Sequence, residues 1–209
     1  MKLRTLFSKT TALAVGIVAL ACASREARAA DSQHPEISFA VQHLREENVE
    51  GPNVERTYFM AAGKRVVFGL PKGCQLSAGD GFLLLPTEAG LDGEIRVSRS
   101  SFTPETDLAA EALTYRDAAT QGLPKDATHV EAKPPVMNTY PYNGWKSMGF
   151  SWTYSAYGKP MVRTVSYINL QVGVQIVVTT LAVQSDAEKV NKLARQFISS
   201  WWVMGDGAK

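Results

Sequence analysis

The stretch 147–181 constrains the fold more than any other part of the chain. Met148, Phe150, Trp152 and Tyr154 alternate with Ser147, Gly149, Ser151 and Thr153. A repeat of two is the period of a strand and not of a helix. Tyr157-Gly158-Lys159-Pro160 reads as a turn, and residues 162–170 and 172–181 read as two further strands joined near Gln171-Val172-Gly173. Long strands joined by short turns pair antiparallel, so the chain must build an antiparallel sheet with at least one face covered.

Three shorter strands are expected upstream. Arg65-Val66-Val67-Phe68-Gly69-Leu70 stops at Pro71-Lys72-Gly73, and Phe82-Leu83-Leu84-Leu85 is closed by Pro86. After Asp92-Gly93, residues 94–99 alternate, with Ile95 and Val97 on one side and charges on the other.

Two amphipathic helices supply the cover. In the first, near 104–121, Thr103 is the expected cap and Pro104 the first residue, with Glu105 and Asp107 at the positive end of the dipole. Leu108, Ala112, Tyr115 and Ala119 form its apolar stripe. The second begins at Ser185-Asp186-Ala187-Glu188, which reads as a capping box. Val190, Leu193, Ala194, Phe197, Ile198 and Trp201 then make a broad apolar face. On that reading Ser185→Ala should cost about 1 kcal/mol. The fold class expected is α+β, one antiparallel sheet covered by two helices.

The first ~29 residues have the three parts of a secretory signal. Lys2, Arg4 and Lys9 precede an apolar run over residues 10–21, and Ala27-Arg28-Ala29 forms a small-residue cleavage site. The run is too short to span ~30 Å of hydrocarbon, so no transmembrane segment is expected in the mature chain. Val18-Ala19-Leu20-Ala21-Cys22 offers an alternative, a lipoprotein-like box with Cys22 as the lipidated residue. Residues 30–57 are polar and mixed and read as a loosely held arm, residues 58–203 as a single domain, and 204–209 as a short tail. Removing the signal takes five of 22 basic residues and one of 20 acidic ones, leaving 17 and 19. A slightly acidic chain does not suit nucleic acid. Cys74 is then the one remaining thiol if Cys22 is removed or lipidated. An internal disulfide is therefore not expected, and Cys74 reads as a small buried residue.

Catalytic signatures do not form. Gly144-Trp145-Lys146-Ser147-Met148-Gly149 has one residue too many for a nucleophile elbow and enters a strand rather than a helix. Gly63-Lys64 lacks the rest of a phosphate loop. His34, His43 and His129 are scattered without partners at metal-ligand spacing, so no metal and no cofactor are expected. The compositional outlier is aromatic. Tyr140, Tyr142 and Trp145 stand among Pro141, Asn143 and Gly144, which reads as a loop, and Trp202 lies ~100° around the helix from Trp201. Tyr140, Tyr142, Trp145 and Trp202 are the candidate contacts for a ligand or partner. Trp145 is expected to be exposed and Trp152 buried.

The long hairpin, the following Ser185-x-x-Glu188 helix ending Phe197-Ile198-Ser199-Ser200-Trp201, and Phe68-Gly69-Leu70-Pro71-Lys72-Gly73 resemble the PsbP-like superfamily, including the DcrB-like bacterial proteins. The resemblance spans about residues 58–203. It implies an α/β/α sandwich and an accessory or binding role without shared catalytic residues. The function expected is an exported, periplasmic or secreted, non-enzymatic accessory protein of the cell envelope. Its partner would be an envelope protein or a small ligand. A hydrolase with a site assembled in space and a lipid-anchored carrier of an apolar ligand stand as alternatives. The exported protein should begin at Ala30 or Asp31. Its intact mass checks this, and a diacylglyceryl group on Cys22 would contradict it.

Overall fold

The structure is a computed structural model that describes residues 36–46, 53–88, 90–104 and 106–205. The chain divides into two units, Met1–His34 and Pro35–Lys209, and every described residue belongs to the second. The signal segment, its cleavage site, Cys22, His34 and Glu105 lie outside the described residues.

The unit is α+β, with two antiparallel sheets and two helices. The small sheet comprises β1 (Ile37–Glu46), β2 (Val54–Ala61), β3 (Lys64–Phe68) and β12 (Trp202–Val203), in that order. The large sheet has the order β4 (Cys74–Ala78), β5 (Gly81–Pro86), β6 (Gly93–Arg99), β11 (Val174–Val183), β10 (Lys159–Leu170), β9 (Lys146–Ala156) and β7 (Thr128–Ala132), and β8 (Val136–Met137) also pairs with β9. Helix α1 is Ala112–Thr120 and α2 is Ala187–Ser199.

The long strands form as their alternation requires. β9 and β10 pair without a slip from Ala156–Lys159 to Lys146–Asn169. Their two-residue turn, Tyr157-Gly158, has φ of 53° and 71°, the left-handed pair that matches the twist of a hairpin. Met148, Phe150, Trp152 and Tyr154 are buried on one face of the large sheet, where Leu108, Tyr115 and Ala119 cover them. Burial of Trp152 follows the strand parity.

The opposite face carries the main core. Phe39, Phe59 and Phe68 from the small sheet meet Phe82 of β5 and Phe197 and Trp201 at the end of α2. Phe82 touches all five other rings, with centroids 4.9–6.2 Å apart and mostly edge-to-face. Such geometry places the positive ring edge on the negative face of its neighbour. Gly93 lets α2 approach β6, since a Cβ there would lie 2.7 Å from Val190 Cγ2.

Four expectations change. The polar arm is not an arm: β1 and β2 pair on both sides of a bulge between Ser38 and Gln42 and send Phe39 and Phe59 into the core. Charged residues mask the pattern, because the outward positions of an edge hairpin are solvated. The tail begins with packing, as Met204 is buried beside Tyr58 and Val67. The first helix starts at Ala112 instead of 104. Asp107 Oδ1 accepts from the amides of Ala109 and Ala110 at 2.8 and 3.2 Å, and Pro104 gives its carbonyl to Asn169 Nδ2. Those amides and that carbonyl are used in a turn rather than a helix. The Thr103 hydroxyl bonds Thr106 Oγ1 and caps nothing.

The capping box does not form either. Helix α2 starts after Asp186, with no side-chain cap. Asp186 Oδ2 instead accepts from the Asp92 amide at 3.0 Å, tying the helix start to the mouth of β6, and Ser185 Oγ reaches only Asp186 Oδ1, at 3.4 Å. The exposed Ser185 hydroxyl therefore holds little.

Urea melts should rank three variants. Phe82→Ala should cost about 3–5 kcal/mol by opening a cavity that every other ring lines. Asp186→Ala should cost about 1 kcal/mol. Ser185→Ala should stay within about 0.5 kcal/mol.

Candidate binding surface

The exit from α2 decides where the aromatic candidates lie. Ser200 Oγ accepts from the Gly69 amide at 2.9 Å and donates to the Phe197 carbonyl at 2.6 Å. The chain is thereby turned away from the helix and alongside β3, where Trp202 pairs with Val67 and Val203 with Val66. A strand sends successive side chains to opposite faces. Trp201 is fully buried between the sheets, and Trp202 stands on the outer face of the small sheet, 38% exposed. The helical angle expected between the two residues does not apply, because the helix ends at Ser199.

On that outer face Tyr58, Val67 and Met204 form a satellite cluster with Leu44 and Met60 packed against it. The Arg56 guanidinium sits 5.1 Å from the Trp202 ring centroid, and that of Arg65 5.5 Å from the ring of Tyr58. Cations over aromatic faces hold each ring in a fixed orientation. The result is a half-exposed indole on a sheet, with one guanidinium over it and a second over Tyr58 on the same face. Tryptophan and arginine are the residues that most often dominate interface energetics. Trp202 was legible in the sequence as a candidate. Arg56 and Arg65 were not, since their placement depends on how β2, β3 and β12 pair.

Tyr140, Tyr142 and Trp145 separate. Tyr140 and Trp145 are both buried in the main core, and burial pushes the Tyr140 phenol well above its usual pKa. Trp145, expected to be exposed, is 3% exposed. Asn143-Gly144 does turn the chain, with φ of 59° and 68°. The turn folds over the end of the core instead of into solvent. Asn143 Nδ2 donates to the Trp201 carbonyl at 2.5 Å, and Gln171 Nε2 donates to the Asn143 carbonyl at 2.9 Å. Trp145 also shares the parity of Ser147 and Gly149, which is the small-sheet side of β9, a signal present in the sequence. Tyr142 remains 43% exposed on a single 3-10 turn at Tyr142–Gly144. The Asn143–Trp201 bond brings Tyr142 and Trp202, the neighbours of the two bonded residues, to the same end of the molecule.

The α1 side of the large sheet holds a polar network that the sequence did not reveal. Gln175 Nε2 donates to Tyr115 Oη at 2.9 Å and to Asn169 Oδ1 at 2.7 Å, and its Oε1 accepts from Ser100 Oγ at 2.5 Å. Every polar atom of this buried amide is used, so the network pins the 100–115 segment to the sheet. Burial also pushes the neighbouring Tyr167 phenol up to about 12 and holds the Cys74 thiol above its ordinary pKa. Both groups read as structure. His43 lies at the open side of β1, with Nδ1 3.6 Å from Glu55 Oε1.

The two tryptophans should therefore behave oppositely. Trp145→Ala should cost about 3–5 kcal/mol in a denaturant melt. Trp202→Ala should cost about 1 kcal/mol, the scale of one lost cation–π contact and partial burial.

No protein-family model matches the chain, and no curated protein sequence matches it. Among solved structures it is similar to LpqN, described as involved in cell envelope biogenesis of Mycobacterium tuberculosis, with 12% identity, 79% of this chain and 92% of that chain covered, and a TM-score of 0.41. It is also similar to the Saccharomyces cerevisiae Ran-binding protein Mog1p, with 12% identity, 78% and 96% coverage, and a TM-score of 0.46. A third likeness is to PA94 of Pseudomonas aeruginosa, a protein of unknown function and putative regulator, with 10% identity, 74% and 94% coverage, and a TM-score of 0.36.

Proposed function

We propose that this chain is an exported, non-enzymatic accessory protein of the cell envelope that holds a protein partner on the outer face of its small sheet, with Trp202 as the anchor. The observation that carries this reading is the half-exposed Trp202 indole fixed between paired strands and the Arg56 guanidinium. An anchor held in one orientation before contact loses little side-chain freedom on binding. Arg65, which lies over Tyr58 on the same face, adds positive charge, which suits a partner surface with an acidic rim. The secretory pattern of the first ~29 residues supports the location, and the PsbP-like resemblance supports an accessory role.

Site-specific photo-crosslinking in the producing cell tests this. A benzoylphenylalanine at position 202 should yield a discrete protein adduct, whereas the same group at position 157, where Tyr157 is 80% exposed, should not. No adduct at 202, or the same adducts at both positions, would sink the reading.

A further inference from the structure

A cleft of about 510 Å³ opens between the start of β1 and the turn that joins β4 to β5. Its walls include Glu36, Ser38, Phe39, Gly79, Asp80 and Arg99. That volume lies within the range of small-molecule sites. Arg99 is the last residue of β6 and has the parity of Ile95 and Val97, so its stem lies on the core face of the large sheet, toward the small sheet. Its Nη2 is shielded from solvent and has no hydrogen-bond acceptor among the described residues. Neither Glu36 nor Asp80 comes within ion-pair distance of it.

Arg99 as a whole is only partly buried, but a guanidinium N–H donor shielded from solvent without an acceptor is unfavourable. The guanidinium fork matches a planar carboxylate by two parallel hydrogen bonds. The rest of the lining narrows the class. Glu36 and Asp80 are exposed acids at the same cleft, and they repel a multiply charged anion such as phosphate while favouring a positive group. Ser38 Oγ accepts from the Ala40 amide at 3.4 Å and keeps its own proton to donate. The pairing of β1 with β2 also breaks here. Ser38 faces Met60 and Gln42 faces Tyr58, so the three residues between them stand against Phe59 alone. Bulges of this kind redirect backbone and side chains beside binding sites.

We propose that this cleft binds a small zwitterion of the amino-acid class, with its carboxylate on Arg99 and its ammonium toward Glu36 and Asp80. The site is separate from the outer face that carries Trp202, and its test is independent of crosslinking at that face.

Calorimetric titration of the full-length protein, stripped of bound solutes by unfolding and refolding, decides it. The probes are the twenty L-amino acids, the N-acetylated and decarboxylated forms of any that bind, and inorganic phosphate. At least one amino acid should bind with one-to-one stoichiometry. Acetylating its ammonium or removing its carboxylate should weaken binding at least tenfold, and phosphate should give no heat. Arg99→Gln should weaken binding at least tenfold with an unchanged circular dichroism spectrum. Should that variant fail to fold, Arg99→Lys, which keeps the charge and loses the fork, should still weaken binding severalfold, as should Asp80→Asn. Absence of binding by every amino acid would overturn the proposal. So would phosphate binding as tightly, or affinity unaltered in both Arg99→Lys and Asp80→Asn. A melting temperature lowered by Glu36→Gln or Asp80→Asn without any ligand would show instead that these acids themselves close on Arg99, and would also overturn it.

Discussion

The ring of Phe82 is the point on which the rest of the structure depends. It lies where the small sheet, the large sheet and α2 converge, and its contacts with Phe39, Phe59, Phe68, Phe197 and Trp201 join all three. Among the described residues the two sheets share no strand pairing. Apolar burial between them therefore supplies the cohesion that hydrogen bonds supply within each. Edge-to-face rings give that burial a geometry, because only certain approaches satisfy the quadrupoles. Trp201 is the last member of the cluster, and its position sets the exit of the chain from α2. The Ser200–Gly69 bond and the pairing of Trp202 with Val67 follow from it.

The reverse face of the large sheet is organised differently. There Tyr115, Tyr167 and Phe102 pack tilted or edge-on with centroids 4.4–5.7 Å apart, and the Gln175 network ties the Tyr115 hydroxyl to Asn169. A satisfied polar network specifies one arrangement, because any shift strands a donor or acceptor. The edge of this sheet is also managed. β7 and β8 run along β9 with Pro134 and Pro135 between them, and His129 in β7 takes a left-handed φ of 51° beside a register shift. Prolines and irregularities on an edge strand discourage pairing with another chain. The exposed apolar side chains Val130, Val136 and Met137 lie on that interrupted edge.

The two faces of the small sheet carry different chemistry. Its outer face presents Trp202 with Arg56 and Arg65, while its inner face and first strand border the cleft that Arg99 also lines. Both arise from the same strand alternation, which sends Phe59 and Val66 inward and Tyr58 and Val67 outward. The outer face suits a broad contact anchored by an aromatic ring, whereas the cleft suits a small group met by one partly buried guanidinium.

The sequence by itself determined the long hairpin of β9 and β10, the burial of Trp152, the apolar face of α2, the burial of Tyr115 and Ala119 on α1 and the α+β class. These features are periodic and local, so the chemistry of each residue and its near neighbours is enough to place them. It did not determine that residues 37–46 and 54–57 are strands, because an edge hairpin with one solvated face looks polar when its partner is unknown. It did not place Trp145, since the Asn143-Gly144 turn is local but the direction in which it folds is set by bonds to Trp201 and Gln171, far along the chain. The capping box failed for the same reason: the carboxylate of Asp186 found the distant amide of Asp92. Only the tertiary structure put Arg56 beside Trp202 and Arg99 in the wall of a cleft, because such meetings depend on which strands pair and which sheets pack, and pairing is decided by the burial of the whole core rather than by any one segment.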